Sequence, residues 1–180
     1  ANNLLKIGAK NERVIILKAN SIDTAIAANA VWAAGAQVVM FNPLYTESEL
    51  RPLIEDASPT IILCDVTHVA ILAPLAEANG ISHFYTFDDE LVDIKQWLGQ
   101  QDLRLPDPMP EKNDPALLAY TGGTTGLPKG AIHTHAMMLA MAKAMDGLYS
   151  TTIAGDIWLN VAPVSHIWGW CVSLVSPMYS

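Results

Sequence analysis

The chain has 180 residues, of which 51% are hydrophobic, so it can bury the core of one sizeable α/β domain or of two small domains. Its formal net charge is −8, and its 10 basic residues are scattered, which excludes the basic footprint of a nucleic-acid-binding protein. No apolar stretch reaches the roughly 20 residues that span a bilayer, and the chain opens without the pattern of a signal peptide, so we expect neither feature.

Short β-rich runs alternate with helical segments in the first half of the chain. Ser21 is a candidate helix start, Gly35 a candidate helix end, and Thr46 with Glu49 has the spacing of a capping box. Parallel strands need crossover helices, so this order predicts an α/β fold with mainly parallel sheets flanked by helices. The predicted strands are 14–17, 38–41, 60–64 and 82–87, and the predicted helices are 21–35, 46–57 and 68–78.

A proline-rich segment, residues 106–115, follows this alternation. Prolines among charged residues are typical of an exposed connection, which we expect to separate a first α/β module, 1–105, from a second, 116–180. The second module should contain strands at 117–120, 130–133 and 156–161, a helix over 136–150 and another from Ile167. The chain opens in what resembles a helix tail and stops inside an apolar segment, so we expect a fragment of a longer protein.

Two cysteines, Cys64 and Cys171, lie far apart in the sequence and inside apolar runs. This placement favours buried free thiols in a reducing compartment over a disulfide. We therefore expect the protein to be cytoplasmic.

The most informative segment is residues 121–130, TGGTTGLPKG, which follows the apolar run 117–120. Glycines let backbone N–H groups approach phosphate oxygens, and threonine hydroxyls and the Lys129 ammonium supply further donors and positive charge. The composition therefore predicts a loop that binds a polyphosphate. Pro128 precedes Lys129 and Gly130 follows it, so the spacing of a Walker P-loop is absent.

Residues 120–130 resemble the phosphate-loop signature of the adenylate-forming enzymes, Tyr-Thr-Ser-Gly-Thr-Thr-Gly-x-Pro-Lys-Gly. The one departure is the pair Gly122-Gly123 in place of Ser-Gly, a version found in long-chain fatty acyl-CoA synthetases. Residues 42–50 also resemble the family's NPxYTxxEL stretch, and residues 163–167 resemble its Pro-Leu-Phe-His motif, with Ser165 in place of the aromatic residue. The resemblance implies part of the large N-terminal domain of such an enzyme.

The same resemblance implies a function and a set of site residues. A fatty acid carboxylate would attack ATP to form an acyl-adenylate, from which coenzyme A takes the acyl group, with Mg²⁺ as the metal. The resemblance implies catalytic roles for Thr121, Lys129 and His166 and a metal contact for Thr121. It also implies that His166 and Trp170 contact the substrate, with Trp170 as the gate of a fatty-acid tunnel. The residues implied to hold the ATP phosphates are Thr121, Gly122, Gly123, Thr124, Thr125, Gly126 and Lys129.

Several alternatives stay open at the level of sequence. The parent protein could instead be an aryl-CoA ligase or a peptide-synthetase adenylation domain, or the chain could be a non-catalytic nucleotide-binding or structural module. The chain lacks the family's later motifs, so alone it should bind ATP weakly and form no adenylate. His133 and His135 have no third ligand nearby, which argues against a metal site there and favours a role in the strand-to-helix turn. A homodimer is one assembly that the sequence leaves open.

Overall fold

The computed structural model describes residues 1–87, 104–121, 128–149 and 157–179, which contain a six-stranded sheet of order β4-β3-β1-β2-β5-β6. Strands β1 to β5 are parallel, and β6 pairs with β5 in the antiparallel direction. The predicted α/β fold with a mainly parallel sheet is therefore confirmed. The strands are β1 (Arg13–Leu17), β2 (Gln37–Met40), β3 (Ile61–Cys64), β4 (His83–Thr86), β5 (Pro115–Thr121) and β6 (Lys129–Thr134).

Helices cover both faces of this sheet. Alternate residues of one strand point to opposite faces, so Ile16 packs with Val31 of α2 while Ile15 packs with Ile54 of α3. The first face also carries α5 and the C-terminal helical segment, and the second carries α4. Within the described ranges, no helix is long and apolar enough to cross a membrane. The helices are α1 (Asn2–Lys6), α2 (Ile22–Ala33), α3 (Glu47–Ala57), a 3₁₀ turn (Val66–His68), α4 (Val69–Ala78), α5 (His135–Tyr149), α6 (Ile167–Trp170), a π-helical turn (Cys171–Val175) and α7 (Ser176–Tyr179).

The helix ends predicted from the sequence are confirmed. Ser21 caps α2, because its hydroxyl accepts a hydrogen bond from the Thr24 N–H at 3.1 Å. Gly35 follows the end of α2 with a φ of 69°, a conformation that glycine adopts without steric cost. At the start of α3, the Glu49 carboxylate accepts from the Thr46 N–H at 2.7 Å, which is the reciprocal bond of a capping box.

Strand β5 lies beyond the proline-rich segment and nevertheless joins the same sheet as β2, with Val38 opposite Leu117. The indole N–H of Trp32 on α2 donates to the Ala116 carbonyl at 2.8 Å. This bond is a second link between the residues before and after the proline-rich segment. The division into modules at 106–115 stays a prediction about domains.

The prediction of a strand over residues 156–161 is wrong for residues 157–161, the part of it that the structure describes. Residues 157–161 pair with no strand among the described residues, and Ile157, Leu159 and Val161 are exposed there. Alternating apolar residues favour an extended backbone, but a strand forms only where a neighbour supplies hydrogen bonds. This segment is held instead by a side chain, Asn20, whose Nδ2 donates to Asn160 Oδ1 at 3.1 Å.

Both cysteines are free and buried, as predicted. Burial, with a smaller contribution from the neighbouring Asp65 carboxylate, raises the pKa of the Cys64 thiol to about 12. Burial also raises the pKa of Cys171. Thiols of raised pKa are poor nucleophiles and poor metal ligands, so both act as small apolar core groups.

Candidate functional site

The predicted phosphate loop leaves the sheet at the carboxyl ends of the parallel strands, which we call the carboxyl edge. Thr121 ends β5 and Lys129 begins β6, and the two residues face each other in the ladder. The Thr121 hydroxyl donates to the Lys129 carbonyl at 3.4 Å, and both residues are exposed. Ligands of open α/β sheets bind at this edge. The other predicted phosphate contacts, Gly122, Gly123, Thr124, Thr125 and Gly126, lie outside the described residues.

Tyr120 fixes the base of this loop to the body of the domain. Its hydroxyl donates to Asp56 Oδ2 on α3 at 2.6 Å, and its ring centroid lies 5.6 Å from that of Phe41. Gly130 pairs with Tyr120, and a Cβ there would lie 2.9 Å from Leu118 Cδ1 and 3.3 Å from the Tyr120 ring. Tyr120, the first residue of the motif, therefore has a structural role that the sequence pattern alone does not reveal.

Replacing Tyr120 with phenylalanine should lower the free energy of unfolding of the chain by about 1 kcal/mol, because it deletes the hydrogen bond to Asp56 and keeps the ring. Urea unfolding of the 180-residue chain measures this change. Burial and the bond to Asp56 also raise the pKa of Tyr120, so the hydroxyl stays a donor at neutral pH. In a double-mutant cycle with Asp56→Ala, additive losses would show that the pair contributes nothing.

His166 caps the helix that it precedes. Its Nδ1 accepts a hydrogen bond from the Trp168 N–H at 3.2 Å, and its own N–H donates to the Pro163 carbonyl at 3.0 Å. A neutral imidazole that accepts at Nδ1 carries its proton at Nε2. His166 is exposed, so it offers a fixed N–H donor to a ligand.

The segment that carries His166 lies at the carboxyl edge as well. Asn20, three residues beyond β1, donates to the Ala162 carbonyl at 2.8 Å and accepts from the Val164 N–H at 2.9 Å. Strands β1 and β5 are separated by β2 alone, and neighbouring strands lie about 4.8 Å apart, so their ends are separated by about 10 Å. The structure therefore brings the His166 segment to the same edge as Thr121 and Lys129.

Trp170, by contrast, lies in the core. It is 1% exposed, and its ring meets that of Trp32 at 86° with centroids 5.4 Å apart. Its Nε1 has no hydrogen-bond partner among the described residues. Trp168, two residues earlier, is 56% exposed. These positions give Trp170 a packing role, and its contact with an acyl chain stays a prediction.

His133 lies in β6, and His135 is the first residue of α5, at the turn between the two elements. The His135 N–H donates to the Asp114 carbonyl at 3.2 Å, and the Ala136 N–H donates to the Lys112 carbonyl at 2.7 Å. Burial lowers the pKa of His135, against a smaller opposite effect of Asp114. The described residues contain no group of three His, Cys, Asp or Glu side chains that could hold a metal ion. This geometry fits the predicted role in the turn.

Comparison with known proteins gives a family and several relatives. The family model described as AMP-binding enzyme matches residues 1–180. The chain is 29% identical over 168 residues to the mitochondrial malonate–CoA ligase ACSF3 of Xenopus laevis, covering 93% of this chain and 29% of that protein. It is 30% identical over 196 residues to a long-chain-fatty-acid–CoA ligase of Bacillus subtilis, covering 89% of this chain and 34% of that protein.

Solved structures share the fold. ATP-bound MatB from Rhodopseudomonas palustris superposes with a TM-score of 0.87 at 24% identity, over 99% of this chain and 35% of that one. The long-chain-fatty-acid–CoA ligase FadD1 from Archaeoglobus fulgidus gives a TM-score of 0.83 at 28% identity, over 96% of this chain and 35% of that one. The chain thus spans about a third of the length of these relatives.

Proposed function

We propose, since the chain belongs to the AMP-binding enzyme family, that it is part of a ligase that joins a carboxylic acid to coenzyme A with ATP. A carboxylate oxygen attacks the α-phosphorus of ATP, the bond to the β-phosphate breaks, and pyrophosphate leaves. The thiol of coenzyme A then attacks the acyl carbonyl, forms the thioester and releases AMP. The observation that carries this proposal is the TGGTTGLPKG sequence, of which Thr121 and Lys129 pair with each other at the carboxyl edge.

The described residues can supply donors for this chemistry. Negative charge shifts onto the pyrophosphate as the bond to it breaks, so an exposed Lys129 ammonium and the Thr121 hydroxyl would bind the transition state as well as ATP. His166 would direct its Nε2–H at the carboxylate or at an α-phosphate oxygen. We assign these three residues to the catalytic site and the loop residues 122–126 to the phosphates.

Magnesium fits this site as a companion of the nucleotide. Mg²⁺ usually keeps several water ligands and binds through phosphates and one or two protein oxygens. Thr121 would provide one such oxygen, since among the described residues its hydroxyl bonds only the Lys129 carbonyl, at 3.4 Å. We propose that Thr121 would hold the Mg²⁺ of the nucleotide complex, which would supply positive charge to the phosphates.

A fatty acid is the substrate that we propose. The segment around His166 reads PVSHIWGWC, which consists mainly of apolar and aromatic residues. The exposed Trp168 indole offers an apolar surface beside His166. The relatives include malonate–CoA and 4-coumarate–CoA ligases, so a dicarboxylate or an aryl acid is the alternative. The two free thiols suit the reducing cytoplasm that we propose as the compartment.

The test is carboxylate-dependent exchange between ATP and labelled pyrophosphate in the full-length protein. We expect exchange with medium- and long-chain fatty acids and much weaker exchange with malonate and 4-coumarate. Strong exchange with malonate or 4-coumarate alone would overturn the fatty-acid assignment. Absence of exchange with every carboxylate would favour a non-catalytic nucleotide-binding module.

Replacing Lys129 with alanine in the full-length protein should raise the Kd for ATP about tenfold, because a charged hydrogen bond to phosphate is lost. Calorimetric titration with ATP at low and high salt measures this, and high salt should shrink the difference because salt screens an exposed charge. Lys143→Ala, which removes an exposed lysine from α5, is the matched control and should leave the Kd within twofold. Equal effects of the two changes would remove Lys129 from the site.

The 180-residue chain alone should bind ATP or pyrophosphate weakly and form no acyl-adenylate, since it lacks the later motifs of the family. Mass spectrometry of the chain after incubation with ATP and a fatty acid checks this. Measurable adenylate would contradict the proposal that further residues complete the active site.

A further inference from the structure

A single side chain, Asn20, joins the end of β1 to the segment before His166. Its Nδ2 donates to Asn160 Oδ1 at 3.1 Å and to the Ala162 carbonyl at 2.8 Å, and its Oδ1 accepts from the Val164 N–H at 2.9 Å. We call these three hydrogen bonds the Asn20 clamp. The partners lie 140 to 144 positions away in the sequence, so the clamp joins two distant parts of the chain.

The chemistry of the clamp requires an asparagine. The Val164 N–H is only a donor and the Ala162 carbonyl is only an acceptor, so the amide must present its oxygen to Val164 and its nitrogen to Ala162. An aspartate would present oxygens to both groups and lose the bond to Ala162. A shorter serine side chain has a single polar atom for these partners.

The base of the clamp is rigid. Thr24 is 1% exposed, and its hydroxyl donates to the Ala19 carbonyl at 2.7 Å, directly before Asn20. Ser21, directly after Asn20, caps α2 through the Thr24 N–H. The backbone on both sides of Asn20 is therefore fixed to the start of a helix.

The far side of the clamp leads directly to His166. Pro163, which lies between the two clamped residues Ala162 and Val164, accepts the His166 N–H at 3.0 Å, and His166 Nδ1 accepts the Trp168 N–H at 3.2 Å. A shift of the clamped backbone would therefore move the imidazole.

We propose that Asn20 is a positioning residue for His166, acting through the backbone of residues 162–164. Its side chain does not need to touch substrate. The expected effect on the reaction rate rests on the proposed ligase function. The holding of residues 162–164 by Asn20 rests on the hydrogen bonds alone. Since displacement of a catalytic group by about 1 Å can slow a reaction about a hundredfold, loss of the clamp should be visible in the rate.

The kinetic test uses the full-length ligase with Asn20→Ala and the isosteric Asn20→Asp. Both should lower kcat for adenylate formation about tenfold to a hundredfold and leave the KM for ATP within about twofold. Asn79→Ala removes an asparagine at the end of α4 whose side-chain amide bonds only the Leu75 carbonyl among the described residues, and it should keep wild-type kinetics. Wild-type rates for Asn20→Asp would overturn the proposal, since the donor bonds would then be dispensable.

A cycle with His166→Asn separates positioning from general support of the fold. If Asn20 acts through His166, Asn20→Ala should cost less than about twofold once the imidazole is gone. Equal fold-losses in both backgrounds would overturn the positioning role.

Amide hydrogen exchange of the 180-residue chain tests the clamp without relying on catalysis. The Val164 amide should exchange slowly in the wild-type chain and at least about tenfold faster in Asn20→Ala. If the Val164 amide is protected but the full-length protein has no adenylation activity, the Asn20 clamp is supported and the proposed ligase function is wrong. An unprotected Val164 amide in the wild-type chain would reject the clamp itself.

Discussion

Replacing His166 with asparagine in the full-length ligase should slow acyl-adenylate formation about a hundredfold or more and leave folding intact. In the structure Nδ1 caps α6 through the Trp168 N–H and the residue is exposed, and in the proposed ligase the Nε2–H has the second function of binding a ligand. Asparagine is a strong N-cap, so it keeps the first function, but its shorter side chain cannot place a donor where Nε2 stands. Single-turnover formation of adenylate from ATP and a fatty acid measures the rate.

His166→Ala provides the comparison that separates the two functions. It should lose the same factor in rate and, in addition, about 1 kcal/mol of stability in urea unfolding, because alanine cannot cap the helix. If His166→Asn reacts at the wild-type rate, the imidazole is only a cap and does not take part in the chemistry. If it unfolds as easily as His166→Ala, the cap geometry assigned to Nδ1 is wrong.

The sheet and its helices follow from local sequence patterns. Buried strands such as Ile61–Cys64 consist of apolar residues on both faces, as expected where helices cover both sides of a parallel sheet. Helix ends can be predicted from the sequence as well, because capping depends on residues within one turn, as with Thr46 and Glu49. The strand order is different, since it depends on which distant strands pair, and no local pattern predicts that β5 lies beside β2.

The residues of the candidate site also differ in whether a local pattern or a distant contact determines their role. Thr121 and Lys129 could be predicted from the composition of one continuous loop, whose closure by paired strands needs few residues. Asn20 could not, because an asparagine after a strand is ordinary and its partners lie at least 140 positions away. Tyr120 was recognised as part of a motif, but its bond to Asp56 depends on the packing of α3 against the sheet. Sequence reasoning therefore finds the groups proposed to bind the ligand more easily than the groups that hold them in place.

Gly169 shows how tightly the His166 segment is held. A Cβ at this position of α6 would lie 2.1 Å from the Pro163 carbonyl oxygen and 2.6 Å from its carbon, distances that real Cβ atoms do not show. The contact is with backbone, which cannot turn aside as a side chain can. The helix thus packs directly against Pro163, while Asn20 bonds the residues before and after it, Ala162 and Val164.

Gly169→Ala should therefore destabilise the chain by about 3 kcal/mol and displace the backbone that carries His166. In the full-length ligase we expect adenylate formation to fall about a hundredfold, through misplacement of the imidazole. Urea unfolding and single-turnover kinetics measure the two effects. The displacement should also speed amide exchange at Val164, because the Asn20 clamp cannot follow a backbone that has been pushed away.

The matched change is Gly147→Ala in α5, where a Cβ would meet no atom within 4 Å. Alanine is the better helix former by about 1 kcal/mol, so this variant should be more stable than the wild type and react at the wild-type rate. The same substitution is thus expected to have opposite effects at two helical positions, decided by what lies beside the glycine. Equal stability of the two variants would mean that α6 does not press on Pro163, and His166 would then lack one of its two supports.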